Sequence, residues 1–188
     1  ACRTAIDMMS ELRRLREKWA AEGRPDVNIG VGINTGDMVV GNMGSQMRFD
    51  YTVMGDSVNL ASRLEGTNKE YRTNVIISEF TLEQIKDEFF CRELDSVQVK
   101  GKKRPVRIFE LLGYRKDAPQ WQGFVGRFET GLAKYREGLW DEAIAAFRGV
   151  LEIRPEDYPA RLYIERCEAL KGHPPEGEWD GVFTMTTK

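Results

Sequence analysis

The sequence contains one histidine, His173, and it stands beside Pro174 and Pro175 with no Ser or Cys at a motif spacing. A histidine-based triad is therefore not supported, and His173 reads as a surface residue. Cysteine is almost as scarce. Cys2, Cys91 and Cys167 are odd in number, far apart and without a CxxC pair, which excludes a disulfide framework and a thiolate zinc site and fits a reducing cytoplasm. No apolar run approaches the roughly 20 residues of a membrane helix, and no signal peptide pattern opens the chain. Neither sign of charge dominates, with 28 Lys+Arg against 30 Asp+Glu and a net charge of −2. The basic cluster at 100–104 is too small for a nucleic-acid-binding stripe. Two phosphate cradles are missing as well. Gly30-x-Gly32-x-x-x-Gly36 departs from the dinucleotide fingerprint, and the stretch 41–45 lacks Gly-Lys-Ser/Thr.

What remains is an ordinary globular composition, 41% hydrophobic over 188 residues. That length accommodates a domain of about 110 residues and a small appendage. Because Ala1 opens directly on a helical pattern, the chain is expected to be a segment of a longer protein.

Apolar Ile6, Met9, Leu12, Leu15 and Trp19 recur at helical spacing and predict an amphipathic helix over 3–21. Val27, Ile29, Val31 and Ile33 then alternate with Asn28, Gly30, Gly32 and Asn34, predicting a strand. Two glycines on one of its faces imply that another backbone, a helix or a ligand comes close there. The turn 34–37 predicts a hairpin to a strand at 38–40, followed by a flexible connection around Gly41, Gly44 and Ser45. An extended segment at 49–54 leads, after Gly55, into a helix to about residue 71, with Asp56 or Ser57 as its cap. A strand at 75–77, a helix capped by Ser78, and strands near 89–100 and 106–112 complete an α+β pattern with helices packed on a sheet.

After Gly113 the reading becomes helical. Residues 114–122 read as a linker, 123–171 resemble a tetratricopeptide unit with a further capping helix, and 172–188 read as an irregular tail. One such unit cannot bury its own faces and is expected to dock on the sheet domain or on something else.

Chemistry concentrates after Gly55. Asn59 and Arg63 are four residues apart and share one helix face, while Val58, Leu60, Ala61 and Leu64 cover another arc. An amide can hold a sugar oxygen and a guanidinium can neutralise phosphoryl charge. The same spacing also describes a solvated helix face with Arg63 paired to Asp56 or Glu65. Lys100, for its part, equally describes an exposed residue of a basic turn.

The stretches Gly36-Asp37, Val40-Gly41-Asn42-Met43-Gly44, Asp50-Tyr51-Thr52-Val53-Met54-Gly55-Asp56-Ser57-Val58-Asn59-Leu60-Ala61-Ser62-Arg63-Leu64-Glu65, Val75-Ile76-Ile77-Ser78, Val97-Gln98-Val99-Lys100-Gly101-Lys102 and Ile108-Phe109-Glu110-Leu111 resemble the catalytic domain of class III adenylate/guanylate cyclases. The resemblance covers residues 1–113. It implies a ferredoxin-like sheet that dimerises head to tail, with nucleotide bound across the homodimer interface. It further implies that Asn59 orients the ribose, Arg63 stabilises transition-state charge, Lys100 binds the triphosphate and Thr52 touches the base. Thr at position 52 resembles bacterial adenylate cyclases, which makes ATP the expected substrate. A hydroxyl can also donate to guanine, so this residue alone leaves the base open.

The family's metal-binding aspartates, its base-reading lysine and its first strand belong to positions ahead of Ala1. No metal ligand is assigned in this chain, and Mg²⁺ or Mn²⁺ is expected to be held by residues upstream. The segment by itself is therefore expected to be inactive. The leading expectation is a cytoplasmic adenylate cyclase portion, with a tail similar to those of membrane-anchored sensor cyclases. Two alternatives are a degenerate cyclase homology domain that regulates by binding nucleotide or a partner, and an interaction module in which the helical segment meets a protein partner.

Overall fold

A computed structural model describes residues 1–45, 48–97, 105–175, 179 and 181. The chain divides into two compact units, Ala1–Ile85 and Lys86–Lys188.

In the first unit, α1 (Cys2–Ala21) buries Cys2 and Ala5 and half-buries the predicted stripe of Ile6, Met9, Leu12, Leu15 and Trp19. The strand β1 (Val31–Ile33) is shorter than the alternation suggested. Its expected start is held by a side chain instead of a ladder, because the Asn74 amide donates to Asn28 Oδ1 (2.6 Å) and to the Ile29 carbonyl (3.1 Å). The hairpin expected from β1 into 38–40 does not form. Asn34, at the exit of β1, donates to the Ser57 carbonyl (3.0 Å) and accepts from Ser78 Oγ (2.6 Å), which turns the chain away. β1 pairs in parallel with β4 (Val75–Ser78), Val31 opposite Val75 and Ile33 opposite Ile77.

The actual hairpin joins β2 (Val39–Ser45) to β3 (Arg48–Met54). The expected flexible connection at Gly41 and Gly44 is paired strand, since Gly41 opposes Thr52 and Gly44, at φ 147°, opposes Phe49 without a break in register. The helix α2 (Asp56–Tyr71) follows. Neither Asp56 nor Ser57 caps it. Gly55 is the N-cap, at φ 149°, and its carbonyl accepts from the amides of Val58 and Asn59. Asp56 lies in the first turn, where a carboxylate favours the helix dipole. Arg72, in the left-handed region at φ 48°, ends α2. As predicted, Ser78 caps α3 (Glu79–Ile85), accepting from the Thr81 amide at 3.3 Å.

In the second unit, β5 (Phe89–Val97) and β6 (Val106–Tyr114) form an antiparallel ribbon. A 3-10 turn at Arg115–Asp117 leads into α4 (Pro119–Arg136), which opens inside the stretch read as linker because proline is compatible with a first helical turn. α5 (Trp140–Ile153) and α6 (Tyr158–Gly172) complete the unit. Gly131 permits α4 and α5 to cross closely, since a Cβ there would lie 2.6 Å from the Phe147 ring. Phe128, Phe147, Tyr135 and Tyr163 are fully buried and meet edge-on or stacked at 4.9–5.8 Å. Each such ring contributes on the order of 1.5–3 kcal/mol by burial.

The helices rest on the ribbon, answering the expectation that they could not bury their own faces. Trp121 stacks on Phe90 at 6.0 Å and covers Gly113, where a Cβ would lie 2.4 Å from the indole. The Arg92 side chain of β5 is 1% exposed. It donates to Glu110 of β6 (3.0 and 2.5 Å) and to Asp157 (2.7 Å), the N-cap of α6, and lies over the Phe128 ring of α4 at 4.6 Å. Burial opposes its charge, but the two carboxylates outweigh that and hold its pKa above the ordinary value. With a parallel pair, two antiparallel pairs and helices packed on strands, the chain is α+β, the class read from the sequence.

Candidate functional site

The site expected from the sequence is carried by α2 and by the hairpin before it. α2 is positioned by contact with a bare strand. At Gly32 a Cβ would lie 2.2 Å from the Ala61 carbonyl oxygen and 2.3 Å from the Glu65 nitrogen; at Gly30 it would lie 3.1 Å from the Glu65 oxygen. The glycine face of β1 is therefore the seat of the helix, as one of the readings of those glycines required. Leu60, Leu64, Thr67, Asn68 and Tyr71 make the buried side of α2.

Polar groups fix the helix along its length. The Asn68 amide donates to the Val31 carbonyl (3.1 Å) as well as to Leu64 and Glu65, and its oxygen accepts from Thr73 Oγ1 (3.1 Å). The contact of Asn34 with the Ser57 carbonyl secures the first turn. A Cβ at Gly36 would lie 2.2 Å from Ser57 Oγ, so that turn also needs a glycine opposite it. Asn34 and Asn68 are positioning residues that sequence reasoning missed. Asn68 carries a signal in hindsight: it lies on the buried arc with Leu60 and Leu64, where an amide requires partners.

Asn59 and Arg63 are both exposed, on the side of α2 away from β1. Thr52 is exposed on β3, directly opposite Gly41. The fold thus places Asn59 and Arg63 on one open face and Thr52 on the strand leading into that helix. Lys100 lies outside the described residues. An amide, a guanidinium and a hydroxyl on exposed positions can contact a polar anionic ligand.

The hairpin adds an apolar surface beside these groups. Met38, Val39, Val40, Tyr51, Val53 and Met54 are all exposed, Tyr51 at 76%. Strand alternation divides them between the two faces of the ribbon, Val39 and Met54 on the face of Thr52 and Val40, Tyr51 and Val53 on the other. A cavity of about 270 Å³ between α5 and α6 is lined by Asp141, Ile144, Ala145, Arg148, Glu168 and Lys171, and none of the expected nucleotide contacts borders it.

Among the described residues, no group of three or more His, Cys, Asp or Glu side chains could hold a metal ion. The residues described therefore do not by themselves make a divalent-metal centre. No described helix is long and apolar enough to cross a membrane.

Residues 1–113 match the family described as the Adenylate and Guanylate cyclase catalytic domain. The chain is 41% identical over 146 residues to the "Adenylate cyclase, terminal-differentiation specific" of Dictyostelium discoideum. That similarity covers 75% of this chain but 7% of the relative, and it reaches past residue 113. Among solved structures, the adenylyl cyclase CyaB from P. aeruginosa shares 40% identity at a TM-score of 0.52, over 60% of this chain and 57% of that one. The guanylyl cyclase Cya2 shares 37% identity at a TM-score of 0.51, over 60% and 56%. The chain thus spans only a small part of the curated relative and little more than half of the solved ones. A match over more than half of its length places it: the chain belongs to the adenylate and guanylate cyclase catalytic domain family.

Proposed function

We propose that the chain is the catalytic portion of an adenylate cyclase, which converts ATP to 3′,5′-cyclic AMP and pyrophosphate at the interface of a homodimer in cyclic nucleotide signalling. The observation that carries this reading is the shared exposure of Asn59 and Arg63 on the side of α2 away from β1. In the reaction the ribose 3′-hydroxyl attacks the α-phosphorus and pyrophosphate leaves. Asn59 orients the ribose, which contributes through alignment. Arg63 meets the negative charge that grows on the phosphorus oxygens and the leaving group. Thr52 contacts the base and Lys100 the triphosphate. ATP as substrate rests on Thr52 and on the adenylate cyclases among the relatives, and an ATP-consuming signal enzyme belongs in the cytoplasm.

The open site and the apolar hairpin support dimerisation. A second copy seated on the ribbon face that carries Val39, Met54 and Thr52 would cover those two exposed apolar side chains and wall the nucleotide next to Thr52. Domain organisation follows the same proposal: a cyclase domain over 1–113, a connection over 114–122, a tetratricopeptide-like unit over 123–171 and a tail over 172–188. The close crossing of α4 and α5 at Gly131 supports the repeat-like reading.

The test is Arg63→Ala in the native full-length homodimer, assayed with ATP and with GTP. Turnover of ATP is expected to fall about 10²- to 10³-fold, the scale of comparable electrostatic contributions, with the melting temperature unchanged. Unchanged turnover would remove Arg63 from the mechanism, and faster turnover of GTP than of ATP in the parent would overturn the substrate.

A further inference from the structure

The ribbon of β5 and β6 is irregular where the helices touch it. On β5, Glu93 opposes Phe109 and Asp95 opposes Ile108, so Leu94 is an extra residue with no partner position on β6. On β6, Leu112 is the extra residue, between the pairs Phe90–Gly113 and Cys91–Leu111. Leu112 and Phe90 both pack against the aromatic core of the helices.

The bulge at Leu94 is gripped by α6. The Leu94 carbonyl accepts from the Tyr163 hydroxyl at 2.8 Å. The neighbouring Asp95 carboxylate, buried, accepts from Arg166 Nη1 at 2.7 Å and from the Ser96 amide at 2.7 Å. On the other side of the bulge, Arg92 meets Asp157 at the start of α6. The helix therefore holds β5 both before and after the extra residue. Consecutive strand residues normally face opposite sides, yet Leu94 and Asp95 are both buried, and their polar groups are met by α6.

We infer that α6 is a register clamp: it selects the bulged pairing of β5 with β6 and thereby sets which way Asp95, Ser96 and Val97 face. The competing arrangement is a strand that slips by one residue to pair Leu94 with β6. Such a slip turns every later side chain to the opposite face. It is disfavoured here because it would strip a buried carbonyl and a buried carboxylate of the partners that α6 supplies. The helical segment beyond the family match is on this view an integral part of the ribbon's fold. The inference uses no property of the cyclase reaction and stands apart from the proposed activity.

Backbone hydrogen exchange on the full chain tests it, comparing the parent with Tyr163→Phe, Arg166→Met and the double variant. Exchange at the amides of residues 94–97 is expected to rise about 10-fold or more, while α4 and α5 keep their parental rates. Phe147→Leu, a core change, is the reference for general loosening and should raise exchange throughout α4, α5 and α6. Unaltered rates at 94–97 in the double variant, or a rise spread as in Phe147→Leu, would overturn the clamp. A second measurement deletes Leu94. The deletion should lower the melting temperature of the parent clearly more than that of the double variant, and an equal loss in both would refute the inference.

Discussion

Replacing Gly32 by alanine tests the link between the sheet and the chemistry. A Cβ at this position would stand 2.2 Å from the Ala61 carbonyl oxygen and 2.3 Å from the Glu65 nitrogen, both backbone atoms of α2. Neither can rotate away as a side chain could. Reaching even the 3.0 Å lower limit of real Cβ contacts requires the helix to retreat by at least about 0.8 Å. Overpacking of this kind costs roughly 1–3 kcal/mol. The functional loss should be larger than that figure suggests. α2 carries Asn59 and Arg63, which under the proposed function align and stabilise the reacting centre, and a displacement near 1 Å at such groups lowers rate by about 10²-fold. Under the proposed function, the assay is cyclic AMP formation by the full-length protein alongside thermal unfolding. Gly66→Ala is the matched control: Gly66 lies on the same helix with open space around its Cβ position, so this change should stabilise the helix by roughly 0.5–1 kcal/mol with activity intact. A Gly32→Ala protein with parental turnover would refute the claim that contact with β1 sets the position of the site.

Arg92→Met should destabilise the second unit by about 3–5 kcal/mol in urea titration, because it leaves Glu110 and Asp157 facing each other without the cation. Adding Glu110→Leu and Asp157→Asn should recover most of that loss, and a single variant within about 1 kcal/mol of the parent would contradict the assignment. Glu129 on α4 has its pKa raised, by burial first and by Glu93 second. A raised folded-state pKa on an acid means that the folded chain holds the proton more tightly than the unfolded one, so the ionised group costs stability as pH rises through the folded pKa. Glu129→Gln is therefore expected to raise the melting temperature at pH 7, with the gain vanishing below about pH 4; a lower melting temperature at pH 7 would reverse the sign.

Much of the site was legible because it depends on local periodicity. The four-residue spacing of Asn59 and Arg63, set against Leu60 and Leu64, defines two sides of a helix whatever it packs on. Paired glycines in the alternating stretch before it signalled a close neighbour, and α2 is that neighbour. Ser78 as a cap and the apolar stripe of α1 are equally local. The hairpin was misassigned for a physical reason: turn chemistry at Asn34–Asp37 resembles a strand-to-strand turn, but the Asn34 amide is used to bind Ser57 and Ser78, which are distant in sequence. Gly41 and Gly44 read as loop residues, yet cross-strand pairing with Thr52 and Phe49 keeps both in the ladder.

The sequence by itself determined the α+β class and the side of α2 that faces outward, since these follow from spacing and from which side chains avoid water, while the family was legible only through the resemblance of its motifs. Only the tertiary structure decided which strands pair, that Asn34 and Asn68 fasten the helix, and that Arg92, Asp95 and Leu94 are gripped by α6. The last two outcomes depend on partners from 23 to 71 residues away, whose hydrogen bonds replace lost contacts with water and leave no periodic trace along the chain.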